Sequence, residues 1–255
     1  MKYVFITGAT RNTGWAIAQR FAREGYGVAV TSRHQQDALD AAVRLRQEFP
    51  AVQTLGLGMH TDSVSSIRAA FAQVKAAWGR LDVFVSNAAH LAVDMSIFNS
   101  SEEDWDAVIN ANAKGAFFGC QEAVKLMDQG GAICMISSVH AHACIPGRVL
   151  YTTSKGAINA MARSLAIELG HLNIRVNTLT AGAIHSERWD NQPPEVTVAR
   201  RAQYPAGRES FPEEIANGVY YLCSDQAPTV TGTELTIDSG ILDCLLPYKK
   251  GWNQK

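Results

Sequence analysis

Residues 3–24 run from a β-branched and aromatic stretch, Tyr3-Val4-Phe5-Ile6, through the turn Thr7-Gly8-Ala9-Thr10-Arg11-Asn12-Thr13-Gly14 into an Ala-rich helical pattern. A strand that passes through a glycine turn straight into a helix narrows the fold sharply. The chain must return by a crossover, so the next strand lies parallel to the first. The rest of the sequence keeps this alternation. Strand-like runs at 3–6, 28–31, 53–57, 81–85, 132–136, 175–179 and 234–237 are separated by helical patterns at 13–24, 36–48, 64–78, 102–127, 150–169 and 212–223. Several of these strands are nearly continuous apolar runs, as expected when both faces are buried. The expected fold class is α/β, a doubly wound, seven-stranded, mostly parallel sheet with helices on both faces.

The 255 residues suit one such sheet, and we read 1–255 as a single domain. Two features depart from the pattern: a stretch near 185–204, holding Pro193-Pro194 and both charge signs, and an apolar tail at 241–255. Hydrophobic residues make up 47%, enough for a core on each face of the sheet. A net charge of −1 gives no general attraction to nucleic acid or a membrane surface. No apolar run approaches the roughly 18 residues of a membrane span. Met1-Lys2 leads directly into the first strand, which leaves no room for a signal peptide. The five cysteines are odd in number and lack Cys-x-x-Cys spacing, so we expect reduced thiols in a cytoplasmic protein.

Parallel sheets bind ligands at the carboxyl ends of their strands. Gly8, Ser32-Arg33, Asn87, Ser138 and Gly182 all fall at such ends. Strand, glycine turn and helix point backbone N–H groups at a pyrophosphate. At the end of the second strand, an Asp would accept hydrogen bonds from a ribose diol and repel a 2′-phosphate. Ser32-Arg33 stands there instead, and a guanidinium binds phosphate in bidentate fashion. This favours NADP(H), with NAD(H) as the alternative. Farther on, Tyr151 and Lys155 stand four residues apart, on one face of a helix, with Ser138 upstream. A cation beside a phenol lowers a pKa that is ordinarily about 10. Such a phenol passes a proton to or from an alcohol oxygen, and Ser138 donates to the same oxygen.

Together these residues resemble the short-chain dehydrogenase/reductase family over nearly the whole chain, from 4 to about 240. Thr7-Gly8 and Gly14 match its Thr-Gly-x-x-x-Gly-x-Gly turn, and Asn87-Ala88 its Asn-Asn-Ala-Gly. Asn112, Ser138, Tyr151 and Lys155 match its catalytic tetrad. Val176-Asn177 and Gly182 match the loop beside the nicotinamide, and Gly207-Arg208, Pro212-Glu213-Glu214-Ile215-Ala216 and Asp238-Ser239-Gly240 its C-terminal third. Asn12 replaces the middle glycine, Ser86 and Ala89 flank Asn87-Ala88 in place of Asn and Gly, and Ala181 replaces a proline. His60 stands where the family often has an adenine-contacting Asp, with Asp62 nearby.

The resemblance implies a Rossmann-like, dinucleotide-binding fold and hydride transfer between a nicotinamide cofactor and a CH–OH or carbonyl carbon. Tyr151 exchanges the proton, Lys155 biases the phenol and holds the nicotinamide ribose, Ser138 polarises the carbonyl, and Asn112 holds a relay water. Cofactor contacts are expected from Gly8, Thr10, Arg11, Asn12, Thr13, Gly14, Ser32, Arg33, His60, Thr61, Asp62, Asn87, Ala88, Ala89, Tyr151, Lys155, Gly182 and Ile184. Arg11 is the matching second cation of many NADP-dependent relatives. The stretch at 185–204 corresponds to a mobile segment over the substrate.

His90, His140, His142, Arg148 and Trp189 are candidates for the pocket wall, with Ile145 and Val149 as apolar partners. His140-x-His142 lacks a third ligand, so no metal is expected. A histidine-lined wall suits a small polar ketone or alcohol, sugar-, polyol- or hydroxy-acid-like; a hydrophobic ketone is the alternative. Two non-redox readings stand beside these. Halohydrin dehalogenase-like relatives carry Arg where this chain has Lys155, and NADP-sensing relatives lack the tyrosine. The helices at 102–127 and 150–169 carry more small and apolar residues than one sheet face needs, among them Phe117, Phe118, Ala157, Ala160, Met161, Ala162 and Leu165. In the family such helices pair across a two-fold axis, and the last strand and tail form a second contact. This implies a homotetramer, with a dimer as the alternative.

Overall fold

The computed structural model describes residues 1–128 and 130–245; the side chain of residue 188 is also outside the description. Seven strands, β1 (Tyr3–Ile6), β2 (Gly27–Ser32), β3 (Thr54–Gly58), β4 (Val83–Ser86), β5 (Gly131–Ser138), β6 (Ile174–Ala181) and β7 (Glu234–Ile237), form one sheet. Every pairing is parallel and the order is β3-β2-β1-β4-β5-β6-β7. The order reverses between β1 and β4, which opens a crevice above their carboxyl ends.

Period-two side chains divide the sheet between two cores. Val4 and Ile6 of β1 face one core, under α1 (Asn12–Arg23), α2 (Gln35–Glu48) and a helix near the C-terminus, Pro212–Cys223. Phe5 faces the other, under α3 (Val64–Trp78) and the helices Gly115–Val124 and Val149–Glu168. Phe5 stacks on Phe71 of α3, with ring centroids 4.4 Å apart. Central strands buried on both faces explain the unbroken apolar runs.

The helix expected at 102–127 is not one regular helix. It divides into α4 (Glu102–Ile109), a π-helical turn at Asn110–Lys114, and α5 (Gly115–Val124). A capping box between Ser101 and Asp104 starts α4. At the π turn the backbone presses on the loop after β3. A Cβ at Gly115 would stand 2.4 Å from the Thr61 carbonyl oxygen.

Helix α6 (Val149–Glu168) follows β5, and β5 and β6 are longer than the sequence suggests, reaching a last paired position at Ser138 and Ala181. The 185–204 stretch holds a 3-10 turn, Glu187–Trp189, and a helix, α7 (Pro194–Arg201). Helix α8 (Pro212–Cys223) opens with Pro212 in its first turn, and Glu214 accepts from the Phe211 N–H at 2.7 Å. Of the tail, 246–255 lies outside the described residues. Among the described residues no helix is long and apolar enough to cross a membrane.

Candidate active site

The glycine turn lies between β1 and α1 at the crevice. Gly8 has φ 63° and packs on Ala88, where an added Cβ would meet the Ala88 Cβ at 3.0 Å. A Cβ at Gly14 would stand 2.1 Å from the Gly8 carbonyl oxygen, so only glycine fits. Asn12, in place of the family's glycine, holds φ 49°, a left-handed conformation that Asn tolerates better than most residues. Helix α1 begins at Asn12 without a side-chain cap and with no acid in its first turn. Its first N–H groups are thus left for an anion, and the backbone can be approached closely. On both counts the turn, from Thr10 through Thr13, fits a dinucleotide pyrophosphate.

Asn87 fastens this turn to β4. Its amide donates to the Thr7 and Gly8 carbonyls, both at 2.9 Å, while the Thr7 hydroxyl accepts from the Asn87 and Ala88 N–H groups at 2.9 Å. Beyond β2, Ser32 is half-buried and Arg33 exposed, as is Arg11. Past β3, His60 and Asp62 are exposed, with half-buried Thr61 between them. Gly182 packs so closely on Asp238 that a Cβ would stand 2.7 Å from its Cα. Ile184 bridges to Ser210 and packs on the first core, and Ala89 is exposed at the head of the β4 loop. In that loop Ala92 is buried at φ 47°, a strained conformation no motif marks.

Ser138, at the end of β5, accepts from the His140 N–H at 3.2 Å. Tyr151, Ser154 and Lys155 lie on the buried face of α6. The phenol pKa is not lowered by Lys155 as the helical spacing leads one to expect. Burial raises the Tyr151 pKa above its ordinary value, and what opposes the rise is Ser138 and then the Arg148 charge. Lys155 is aimed elsewhere: its ammonium donates to the Ile136 carbonyl at 2.8 Å and lies 5.5 Å from the centre of the Tyr151 ring. Lys155 is 2% exposed, and burial lowers its own pKa to about 8. Asn112 sits in the π turn. Its amide donates to the His90 carbonyl at 3.0 Å and to Ser154 Oγ at 2.9 Å, and Oδ1 accepts from the His90 N–H at 2.6 Å.

The wall candidates part company. The His140 ring stands 5.7 Å from that of Tyr151, and its buried Nδ1 has no partner. Burial and the Arg148 charge lower its pKa, which keeps it neutral. His142 is held by Glu234 of β7 and, at 3.2 Å, by Asn159, two turns of α6 beyond Tyr151. Arg148 donates to the Leu91 carbonyl at 2.8 Å and so pins the β4 loop. His90 is likewise used within that loop, its Nδ1 accepting from the Ala92 N–H at 3.2 Å. Ile145 and Val149 are exposed. Trp189 lies under the Arg200 guanidinium, 3.9 Å from its ring centre. Among the described residues no three His, Cys, Asp or Glu side chains gather as metal ligands.

One anchor of the 185–204 segment escaped the sequence reading. Glu209 is fully buried and accepts two hydrogen bonds from Arg201 at 2.9 Å, one from Arg200 at 3.4 Å, and pairs with His185 at 3.1 Å. The Arg201 bonds hold its carboxyl far below the usual carboxylate range. Ser154 was missed as well. No local pattern marks either residue, because each is defined by partners distant in the chain.

The family model described as enoyl-(acyl carrier protein) reductase matches residues 8–242. The chain is 34% identical over 243 residues to a 3-oxoacyl-[acyl-carrier-protein] reductase of Thermotoga maritima, covering 94% of this chain and 98% of that protein. It is 32% identical over 239 residues to a 3alpha-hydroxysteroid dehydrogenase of Mediterraneibacter gnavus, covering 93% and 95%. Among solved structures, a short-chain dehydrogenase/reductase from Serratia marcescens superposes with a TM-score of 0.87 at 29% identity, over 94% of this chain and 98% of that one.

Proposed function

The chain belongs to the short-chain dehydrogenase/reductase family, and from that starting point we propose that it interconverts a secondary alcohol and a ketone, or an alcohol and an aldehyde, with NADP(H). The observation that carries this reading is Tyr151 on the buried face of α6 with the Lys155 ammonium, itself buried, 5.5 Å from its ring centre. A nicotinamide cofactor, when bound, supplies or takes the hydride. Tyr151 moves the proton at the substrate oxygen; with its pKa raised it stands protonated, as a donor. Ser138 holds that oxygen as charge develops on it. Lys155 keeps N–H groups beyond its Ile136 bond for the ribose, and Asn112 steadies the turn of α6 that carries both. The glycine turn, Arg11 and Arg33 would hold the phosphates, with NADP(H) favoured because no carboxylate closes β2.

Of the polar wall candidates, His140 keeps a buried polar atom, Nδ1, without a partner beside Tyr151. It supports a small substrate with a hydroxyl or carbonyl next to the reacting carbon. A more apolar ketone is the second reading, favoured by exposed Leu91, Val93, Ile145 and Val149. Two relatives point the same way, one named for a hydroxysteroid and one for a 3-oxoacyl group. We place the protein in the cytoplasm, with its cysteines reduced; all five are free.

The test is absorbance at 340 nm with each cofactor over sugars, polyols, hydroxy acids and cyclic ketones. Turnover is expected with NADP(H), and Tyr151→Phe should lose about 10²–10⁴-fold in rate while still binding cofactor. Undiminished activity in that variant would refute the mechanism.

A further inference from the structure

A third guanidinium lies against the glycine turn, where no motif marks it. Arg44, on α2, donates from Nη2 to the Thr10 carbonyl at 3.2 Å, and its guanidinium carbon stands 3.5 Å from the centre of the Trp15 ring. The Thr10 carbonyl belongs to the peptide unit that carries the Arg11 N–H, so Arg44 sits at the base of Arg11. The turn is also tied to the end of β2. The Gly8 N–H donates to Thr31 Oγ1 at 3.1 Å and the Ala9 N–H to the Thr31 carbonyl at 3.0 Å, two residues before Arg33. Three arginines therefore border one junction of turn, β2 and α2.

Among the described residues, none of the three forms an ion pair. The nearby acid Asp40, on α2, accepts instead from Gln36 at 2.8 Å. Guanidinium groups without an ion-pair partner at such a junction are complemented by a bound dianion. A guanidinium offers five N–H donors in a rigid fork, so a stack on one face and a single bond to Thr10 fix its plane and leave donors over. We propose that Arg44 is a third cation of the 2′-phosphate subsite, oriented by Trp15 and Thr10. This rests on the NADP(H) reading and adds to it a specificity-determining residue.

The test uses the whole protein without nicotinamide, titrated calorimetrically with 2′,5′-ADP and with 5′-AMP. Wild type is expected to bind 2′,5′-ADP at least about tenfold more tightly, as a charge-assisted contact to the extra phosphate requires. Arg44→Met keeps an aliphatic stem on Trp15 and removes the charge. It should weaken 2′,5′-ADP about tenfold and 5′-AMP less than about twofold, and Arg44→Ala should do the same. Equal losses for both ligands, or none for either, would overturn the proposal, reducing Arg44 to a brace or a surface stack, and would leave the Arg33 argument standing. A wild type that binds the two ligands equally overturns the NADP(H) reading itself, and the proposal with it.

Discussion

The side-chain amide of Asn112 donates to the Ser154 hydroxyl at 2.9 Å, and that hydroxyl donates to the Tyr151 carbonyl at 2.8 Å. The π turn is thereby clamped to the turn of α6 that carries Tyr151 and Lys155. Inserted π turns recur at functional sites because they redirect one side chain without ending a helix. Asn112→Ala would leave Ser154 and both backbone groups of His90 without these partners, at about 1–3 kcal/mol for each group left buried and unpaired. We expect a lower unfolding midpoint in urea and a fall in kcat. Wild-type values of both would show that the clamp is idle.

Lys155 gives a pH signature. Its pKa falls from 10.5 to about 8 in the folded protein, so the unfolded chain holds the proton more tightly. Stability then rises with pH between about 8 and 10.5, and below pH 8 the full penalty is present. A shift of this size corresponds to roughly 3 kcal/mol. Lys155→Met removes the penalty and also loses the bond to Ile136, worth about 1 kcal/mol. The variant should be the more stable at pH 7, and its lead should shrink toward pH 10.5. Urea unfolding at pH 7, 9 and 10.5 reads this directly, and a lead that does not change with pH would contradict it.

Glu209 anchors the segment that we take to cover the substrate. Glu209→Gln keeps the shape, removes the charge and leaves Arg200, Arg201 and His185 facing one another. Breaking a buried ion pair costs about 3–5 kcal/mol, and here the loss falls on one segment. We expect faster proteolysis within 185–204, an unchanged far-ultraviolet circular dichroism spectrum, and a rise in KM larger than any fall in kcat. Because the carboxyl is held below its ordinary 4.5, the anchor's contribution is complete above that pH and fades as pH falls below it. Protease resistance equal to wild type would count against the anchor.

Assembly is open to sedimentation. Trp105, Phe117 and Ile167 are exposed on α4, α5 and α6, as are Ala157 and Ala160, whereas Ala162 is buried in the protein's own core and leaves the set expected from sequence. Among the described residues, strand β7 is an edge, paired only with β6. Two such surfaces suit a dihedral tetramer. We expect a tetramer at micromolar concentration and a shift to dimers or aggregates on truncation before Ile241. A monomer throughout would rule it out.

Much of this architecture was legible in the sequence because it is periodic. Apolar runs located all seven strands, and the turn residues Gly8 and Gly14 marked the crevice. Asn12 in a left-handed conformation follows from its chemistry alone. What was not legible depends on distant partners. His142 stands two residues from His140 in sequence, yet it is drawn to Glu234, and Arg148 is tied to the Leu91 carbonyl. The phenol's raised pKa likewise reflects burial, which spacing on a helix does not report. The π turn has no composition signal, since Asn110-Ala111-Asn112-Ala113-Lys114 suits an ordinary helix as well.

The place of β1 in the sheet bears on how the protein comes to be folded. Val4 pairs with Val28 on one side and Val83 on the other. On the ribosome, β1 and β2 can meet early, but the opposite edge of β1 waits until β4 has been made. During that interval an apolar strand edge is open to other chains, the condition under which nascent proteins aggregate or engage chaperones. Yield from rapid expression should therefore depend on temperature and chaperone supply more than the stability of the finished fold would suggest.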